Sequence, residues 1–191
     1  MDQQTSQKNE ANSYSFLPGD TQIESSVDHM IRVNHAGEFG AKRIYAGQIA
    51  VLGKTDIGDT LKHMAEQEEE HFNYFDKEIV KRGVRPTVLS PVWHLAGFAL
   101  GAGTAMLGKE AAMACTVAVE ETIDEHYQKQ IEVLSDDEKE LKEKIVKFRE
   151  EELEHRDIGY EHDATKAPGY SLLYHAIKKG SKLAIWLSTR V

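Results

Sequence analysis

Two glutamate–histidine pairs with the same spacing are the strongest sign of chemistry in this sequence. His71 follows Glu68 by three residues, and His155 follows Glu152 by three residues. On a helix, side chains three positions apart are neighbours on one face, so one metal ion can contact both members of a pair. One such pair inside an acidic run usually means only a solvated helix face. Two copies, each on an apolar stripe, indicate metal binding.

Two more glutamates lie among residues that should be buried. Glu38 and Glu120 interrupt the apolar stripes of their own predicted helices, 33 residues before His71 and 35 residues before His155, respectively. An ionised carboxylate loses several kcal/mol of hydration when it is buried without a partner. Four buried glutamates therefore require positive charge between them, and two divalent cations would balance them. The repeated order predicts two helical hairpins that close around two metal ions.

The same ligand set occurs in ferritin-like di-iron bundles, in which two helices each supply a glutamate and the other two each supply a Glu-x-x-His pair. Carboxylate and imidazole ligands suit Fe(II) or Mn(II), whereas the single Cys115 argues against a structural zinc site. The six predicted ligands are Glu38, Glu68, His71, Glu120, Glu152 and His155.

The elements that carry these residues are all predicted to be helices, because no segment alternates between apolar and polar residues as a strand does. We expect an all-α fold, namely a ferritin-like four-helix bundle with two additional apolar or amphipathic helices. The predicted helices run from Ser25 or Ser26 to Leu52, from about Asp59 to Gly83, from Pro91 to Leu107, from Glu110 to Leu134, from Ser135 to about Tyr160, and from Pro168 to the C-terminus.

Local signals predict how some of these helices begin and pack. Asp59 is a good N-cap for the second helix, and Ser135 with Glu138 has the pattern of a capping box for the fifth. The Gly97-x-x-x-Gly101 pattern in the third helix favours close packing of small residues over dimerisation within a membrane.

Length and composition suit a single soluble domain of 191 residues, with 40% apolar and 29% charged residues. Residues 1–24 are rich in Gln, Asn and Ser, and we predict a flexible N-terminal tail there, with the di-iron bundle domain in residues 25–191. This tail has the pattern of neither a secretory signal nor a transit peptide.

The net charge of -9 argues against nucleic acid as a partner, since phosphate binding needs a basic surface.

Longer segments around the ligands resemble the Coq7 family of demethoxyubiquinone hydroxylases. These segments are NHAGEFGA at 34–41, ACTVAVEE at 114–121 and EELEHRD at 151–157, and the likeness runs from about Ser26 to the end of the chain. The resemblance implies a di-iron monooxygenase with two iron ions per chain and O2 as co-substrate. Its reaction would be hydroxylation of the ring of a demethoxyubiquinol in ubiquinone biosynthesis (3-demethoxyubiquinol 3-hydroxylase). All six ligand positions follow the family's pattern, with Glu68 and Glu152 as the bridging ligands.

Four further residues are candidates for supporting roles. Tyr127 lies on the same stripe as Glu120 and is the candidate catalytic residue, for proton or electron transfer, with a core tyrosine as the alternative. His126 and Asp124 are candidates to orient ligand side chains by hydrogen bonds, as metal-bound histidines usually require. We expect His35 to be a core residue or to support a ligand from behind.

The rest of the chain suits a lipid-soluble substrate, a polyprenyl benzoquinol. The third predicted helix is too apolar for a solvated helix, and the sixth combines Trp186 and several leucines with basic residues, as an interfacial helix on anionic lipid would. Packing across the bundle or a dimer interface would explain the same pattern. We expect a peripheral membrane protein on the cytoplasmic face of a bacterial inner membrane, or on the matrix side of the mitochondrial inner membrane if the chain is eukaryotic and trimmed. The resemblance also implies a possible quinone-synthesis complex with a lipid-binding helper.

Three other functions remain open from the sequence. A ferritin-like ferroxidase or iron-handling bundle would use the same six ligands, but it predicts a hydrophilic exterior. A peroxide- or superoxide-linked reaction at a di-iron or di-manganese site is a second alternative. A non-catalytic bundle that binds isoprenoid lipid would leave the four buried glutamates unexplained.

Overall fold

The computed structural model describes residues 26–191, and every regular element among them is helical. The all-α prediction is therefore confirmed, whereas the predicted flexible tail at 1–24 lies outside the described residues. Two short 3-10 turns, Asp136–Glu138 and Ala164–Lys166, lie between helices. The six helices are α1 (Ser26–Leu52), α2 (Gly58–Arg82), α3 (Ser90–Met106), α4 (Lys109–Val133), α5 (Lys139–Glu161) and α6 (Tyr170–Ser188).

The four-helix bundle consists of α1, α2, α4 and α5, in which α1 packs on α2 and α4 packs on α5. Each helix turns an apolar stripe inward at the three- and four-residue spacing of a helix face. Burial of a large apolar side chain stabilises the fold by about 1.5–3 kcal/mol. Fully buried apolar residues in this core include Ile31, Leu61, Met64, Phe75, Met113, Leu141, Ile145 and Phe148.

Helix α2 ends as expected but does not begin as expected. Gly83 follows its last residue with φ +68°, a left-handed conformation that glycine adopts without a steric cost. The prediction that Asp59 caps the N-terminus is wrong, because Asp59 lies inside the first turn and accepts a hydrogen bond from Lys62 at 2.9 Å. A carboxylate in that turn still interacts favourably with the helix dipole.

The predicted capping box before α5 does not form. Ser135 makes no side-chain cap, and the chain takes a 3-10 turn before the helix begins. Glu138 instead accepts two hydrogen bonds from the guanidinium of Arg82, at 2.8 and 2.7 Å. A bidentate, charge-assisted pair with a residue of α2 is stronger than a local cap to a backbone N–H. The tertiary contact therefore decides the geometry of this turn.

Helix α3 lies unusually close to α1 because glycines line the contact. A Cβ atom at Gly101 would overlap the carbonyl oxygen of Ile44, and one at Gly97 would lie 2.9 Å from the carbonyl oxygen of Gly40. A Cβ at Gly47 on α1 would likewise overlap the backbone of α3. The Gly97-x-x-x-Gly101 pattern thus serves close packing within the chain, as predicted.

Helix α6 is held to α4 by ion pairs. Lys178 Nζ lies 2.9 Å from a carboxylate oxygen of Glu121 and 3.0 Å from one of Glu125, and Lys182 Nζ lies 2.8 Å from Glu125. At its other end, Ser188 accepts a hydrogen bond from the indole N–H of Trp93 on α3, at 3.0 Å. Within residues 26–191, no helix is long and apolar enough to cross a membrane.

Candidate metal centre

The six predicted ligands come together in the middle of the bundle. No more than 1% of any of these side chains is exposed to solvent. Their ligand atoms form two groups, within each of which all of these atoms lie within 4.8 Å of one another. The first group is Glu38, Glu68, His71 and Glu152, and the second is Glu68, Glu120, Glu152 and His155. Glu68 and Glu152 belong to both groups, which is the geometry that bridging ligands require.

Both imidazoles turn the same nitrogen towards the carboxylates. His71 Nδ1 lies 3.1 Å from Glu152 Oε1 and 3.6 Å from Glu38 Oε2. His155 Nδ1 lies 3.2 Å from Glu68 Oε1 and 3.4 Å from Glu152 Oε2. In each half of the centre, one Nδ1 and several carboxylate oxygens are therefore within reach of a single ion.

Several oxygens in this cluster have no hydrogen-bond partner. Both oxygens of Glu68 and one oxygen each of Glu38, Glu120 and Glu152 are buried and unpaired among the described residues. Buried polar groups in folded proteins are nearly always hydrogen-bonded, so five such atoms converging on one volume indicate a missing positive partner. Oxygen donors together with two imidazole nitrogens fit a pair of divalent first-row ions such as iron.

The electrostatics of the cluster favour added positive charge. Burial, and then the charge of Glu152, raise the pKa of Glu68 to about 8, and the same two causes raise the pKa of Glu120. Burial opposes a charged imidazole, yet the nearby carboxylates of Glu152 and Glu68 raise the pKa of His155 to about 11. Protons and metal ions would therefore compete to neutralise the negative charge of these carboxylates.

Two tyrosines form a crossed pair of hydrogen bonds to the glutamates. Tyr45 donates to Glu120 Oε1 at 2.9 Å, and Tyr127 donates to Glu38 Oε1. Burial and the neighbouring carboxylates raise the pKa of both phenols well above 10.0, so both remain protonated donors. Tyr127 was a sequence candidate, whereas Tyr45 was not. Its signal was the spacing, because each tyrosine follows the glutamate of its own helix by seven residues.

The outer nitrogen of each imidazole also has a specific partner. His71 Nε2 lies 2.9 Å from Glu151 Oε2, and His155 Nε2 lies 2.9 Å from Gln67 Oε1. Because both partners are acceptor oxygens, Nε2 can donate its hydrogen outwards in each ring, and Nδ1 would then be available to bind a cation in the cluster. Sequence reasoning missed both partners, although each one directly precedes a ligand glutamate.

Two of the predicted supporting residues are not brought to the ligands. His126 Nε2 lies 2.7 Å from Gln130 Nε2 and 3.1 Å from Asn34 Oδ1, and burial lowers the pKa of its imidazole to about 4. Asp124 accepts a hydrogen bond from Arg149 at 2.6 Å. The expectation that His126 and Asp124 orient ligands is corrected accordingly, since both make their hydrogen bonds elsewhere.

His35 packs behind the cluster and contacts no ligand directly among the described residues. Its ring centroid lies 4.9 Å from that of Phe72, and its Nε2 lies 3.4 Å from Asp76 Oδ1. Burial lowers the pKa of His35, although Asp76 opposes the shift. This position agrees with the core residue that we expected as one of two possibilities.

An apolar cavity of about 350 Å³ lies between α1 and α4 of the bundle and the helices α3 and α6. Gly37 and Ala41 on α1 and Val119 on α4 line it, and these residues are sequence neighbours of Glu38 and Glu120. This volume lies within the range of about 300–1,000 Å³ that ligand pockets occupy. The remaining wall includes Trp93, Gly97, Leu100, Ala184 and Ile185.

Comparison with known proteins places the chain in a family. The family model described as "Ubiquinone biosynthesis protein COQ7" matches residues 25–188. A 3-demethoxyubiquinol 3-hydroxylase of Rhodospirillum rubrum is 57% identical over 177 residues, which cover 92% of this chain and 83% of the relative. A human mitochondrial NADPH-dependent 3-demethoxyubiquinone 3-hydroxylase is 55% identical over 171 residues, covering 87% of this chain and 79% of that protein.

The likeness extends to a more distant relative. A mitochondrial 5-demethoxyubiquinone hydroxylase of Saccharomyces cerevisiae is 41% identical over 182 residues, covering 86% of this chain and 78% of that protein. These matches include all four bundle helices and therefore the whole six-residue cluster. The resemblance seen in the segments around the ligands is confirmed: the chain belongs to the COQ7 family.

Proposed function

We propose that this protein is an O2-dependent di-iron monooxygenase that hydroxylates the ring of a demethoxyubiquinol in ubiquinone biosynthesis. The observation that carries the proposal is the convergence of five unpaired, buried carboxylate oxygens and two imidazole nitrogens. The activities named for the relatives support the choice of reaction. In that reaction a ring C–H becomes C–OH, while the second oxygen atom of O2 leaves as water with two electrons and two protons from a donor.

Two bound iron ions would supply the redox chemistry of O2 activation. Glu38 and His71 would hold one ion, Glu120 and His155 the other, and Glu68 and Glu152 would bridge them. Complete burial of these side chains excludes water, which strengthens every electrostatic interaction at the centre. The phenol of Tyr127 donates to Glu38 and can move a proton at that oxygen, so we retain Tyr127 as the candidate catalytic residue.

The apolar cavity is the proposed site of the quinol ring and the first part of its polyprenyl tail. Small residues at 37, 40 and 41 leave room for a flat ring beside the helix that carries Glu38. The cavity is lined by residues of α1 and α4, the helices that carry the two terminal glutamates. Its apolar walls suit an isoprenoid chain.

Membrane association is proposed from the outer surfaces of α3 and α6. Leu95 is 71% exposed on α3, and Leu172 is 79% exposed on α6. Exposed basic residues accompany the apolar ones on α6 (Lys179 and Lys182) and just after its end (Arg190). This combination suits peripheral binding to an anionic membrane, where a polyprenyl quinol resides. We propose the cytoplasmic face of a bacterial inner membrane or the matrix side of the mitochondrial inner membrane as the location.

An iron-storage or ferroxidase function would use the same ligands, but it has no need of an apolar cavity or of exposed leucines. A quinone-synthesis complex with a lipid-binding helper remains part of the proposal because exposed apolar helices also suit such a partner.

Quinone analysis of cells lacking this protein tests the proposed function directly. We expect the demethoxy precursor to accumulate, and the wild-type gene to restore ubiquinone. Glu68→Ala should not restore it, whereas Glu66→Gln, which alters an exposed residue one half-turn away on α2, should. Normal ubiquinone in cells lacking the protein would overturn the substrate assignment. Full restoration by Glu68→Ala would overturn the metal mechanism.

A further inference from the structure

The two halves of the metal centre are built from equivalent residues. Each hairpin supplies one terminal glutamate, one tyrosine seven residues later, one bridging glutamate and one histidine. The hydrogen bonds repeat as well, because each tyrosine donates to the terminal glutamate of the other hairpin. The equivalent pairs are Glu38 and Glu120, Tyr45 and Tyr127, Glu68 and Glu152, and His71 and His155.

One equivalent pair breaks this symmetry. The residue before each bridging glutamate reaches across to the imidazole of the other hairpin, and its oxygen lies 2.9 Å from Nε2 in both halves. Behind His71 this residue is Glu151, a carboxylate, whereas behind His155 it is Gln67, a neutral amide. The geometry is the same and only the charge of the acceptor differs.

The carboxylate behind His71 also forms an ion pair with a lysine. Lys147 Nζ lies 3.1 Å from Glu151 Oε1, which leaves Oε2 to accept from His71. Lys147 also contacts Glu70 at 2.8 Å, so its position is fixed from two sides. The acceptor for His155 is instead the neutral amide of Gln67, which lies on α2 one turn after the exposed His63. The two imidazoles therefore donate to acceptors of different strength.

A stronger acceptor makes an imidazole a better metal ligand. A hydrogen bond to a carboxylate is roughly twice as strong as one to a neutral group, and it draws the Nε2 proton away from the ring. Electron density at Nδ1 rises as a result, which strengthens its bond to a cation and favours the higher oxidation state. A neutral amide has a smaller effect of the same kind.

We infer that Glu151 is a positioning residue that makes the two metal ions unequal. The ion held by Glu38 and His71 binds more tightly and is oxidised at a lower potential than the ion held by Glu120 and His155. This inference rests on the proposed di-iron site. It adds that the position at Glu38 and His71 is the first to bind an ion and the first at which the ion is oxidised. Removal of an outer partner of a metal-bound histidine lowers metal affinity by about 10- to 100-fold.

Stepwise metal titration of the full chain tests the inference. With Fe(II) added anaerobically and binding followed by calorimetry, wild-type protein should take up two ions in two resolved steps. Glu151→Gln should weaken the tighter step by about 10- to 100-fold and leave the other step unchanged. Gln67→Glu should strengthen the weaker step. Glu150→Gln removes a charge from an exposed neighbour on the same helix and should change neither step.

Spectroscopy of protein loaded with ⁵⁷Fe gives a second readout that does not depend on activity. Wild-type protein should show two distinct iron environments in equal amounts, and Glu151→Gln should make them more alike. Equal affinities in wild-type protein, or a Glu151→Gln variant with both steps unchanged, would overturn the inference while leaving the metal site intact. Wild-type protein that binds no metal would instead overturn the metal site, and this inference with it.

Discussion

The interior of the bundle and the outer face of α3 and α6 depart from the usual distribution of residues in opposite directions. The interior buries four glutamates and two histidines almost completely. The α3–α6 face, defined here by Val92, Leu95, Met106, Leu172, Leu183 and Trp186, leaves large apolar side chains at least half exposed. Buried charge and exposed apolar surface are the two exceptions that most often indicate a partner. We propose divalent cations as the partner of the interior and lipid as the partner of the face.

The proposed metal binding and the proposed membrane binding are also assigned to different helices. The six predicted ligands come from α1, α2, α4 and α5, whereas the exposed apolar residues of the face come from α3 and α6. The cavity is lined by residues of α1 and α4 from the bundle and of α3 and α6 from outside it. A substitution in one region should therefore leave the property of the other unchanged, and each prediction below tests that independence.

The largest expected effect comes from neutralising one interior glutamate. Glu120→Gln keeps an oxygen that can accept from Tyr45 but removes the charge, so metal affinity should fall by more than about 100-fold and hydroxylation should be lost. Without metal, the variant should be more stable than wild type by about 1–4 kcal/mol at pH 7, because wild type must either bury a charge at Glu120 or take up a proton there. Thermal denaturation with and without Fe(II) measures both effects.

The control for this variant is Glu132→Gln, which changes an exposed residue of the same helix. It should alter neither metal affinity nor stability beyond about 0.5 kcal/mol. Binding of Glu120→Gln to anionic vesicles should equal that of wild type. A metal-free Glu120→Gln chain that is less stable than wild type would contradict the electrostatic argument.

The junction of the two regions is tested next, at the contact of α3 with α1. Gly101→Ala places a methyl group against the carbonyl of Ile44, and the helices must separate, at a cost of about 1–3 kcal/mol. Gly103→Ala lies on the same helix and meets nothing within 4 Å, so it should be neutral or stabilising by up to about 1 kcal/mol. Chemical denaturation compares the two. Equal stabilities of the two variants would show that the close packing of α3 on α1 contributes nothing to the free energy of unfolding.

The proposed binding of the α3–α6 face to lipid is tested by introducing charge into that face. The double change Leu95→Glu and Leu183→Glu should weaken binding to anionic vesicles by about 10-fold or more, because two buried apolar contacts with lipid are lost. Iron content should stay the same. Val80→Glu is the matched control, since Val80 on α2 is 77% exposed but lies outside the face. Equal vesicle binding by all three proteins would remove the case for a lipid surface.

The smallest effect is expected at an ion pair that belongs to neither region. A hydrogen bond from Arg82 lowers the pKa of Glu138 below 4.5. A lowered pKa in the folded state adds stability above the pKa of the unfolded chain, and this stability is lost as the pH falls through the folded-state pKa. Glu138→Gln should therefore cost about 0.5–1 kcal/mol at pH 7, and progressively less as the pH falls below 4.5. The control is Glu143→Gln, on the exposed side of α5. A loss of stability that does not depend on pH would contradict the contribution assigned to the pair of Arg82 and Glu138.

The clustering of the six predicted ligands could be foreseen because helical periodicity converts spacing directly into position on a face. Glu68 and His71 are close through the geometry of one helix, and the stripe around Glu38 already placed that residue in the core. The bundle and its two additional helices followed from the same periodicity and from four prolines and well-placed glycines. These features depend on local geometry alone.

What could not be predicted depends on how the helices are aligned with one another. The partner of Tyr45 is on α4, and the acceptor for His71 is on α5, so neither contact is encoded by spacing within one helix. The capping box failed for the same reason, because Arg82 on α2 takes the side chain of Glu138. His126 precedes Tyr127 by one residue, and one step around a helix is about 100°, which turns it towards Asn34.

Iron content of the folded chain tests the central claim most directly. After anaerobic loading with Fe(II) and removal of free metal, native mass spectrometry should find two iron ions bound to wild-type protein. Variants at the bridging positions (Glu68→Ala and Glu152→Ala) should retain fewer. Folded wild-type protein that carries no stoichiometric iron, or no more than these variants carry, would contradict the claim that six buried side chains form a two-metal site.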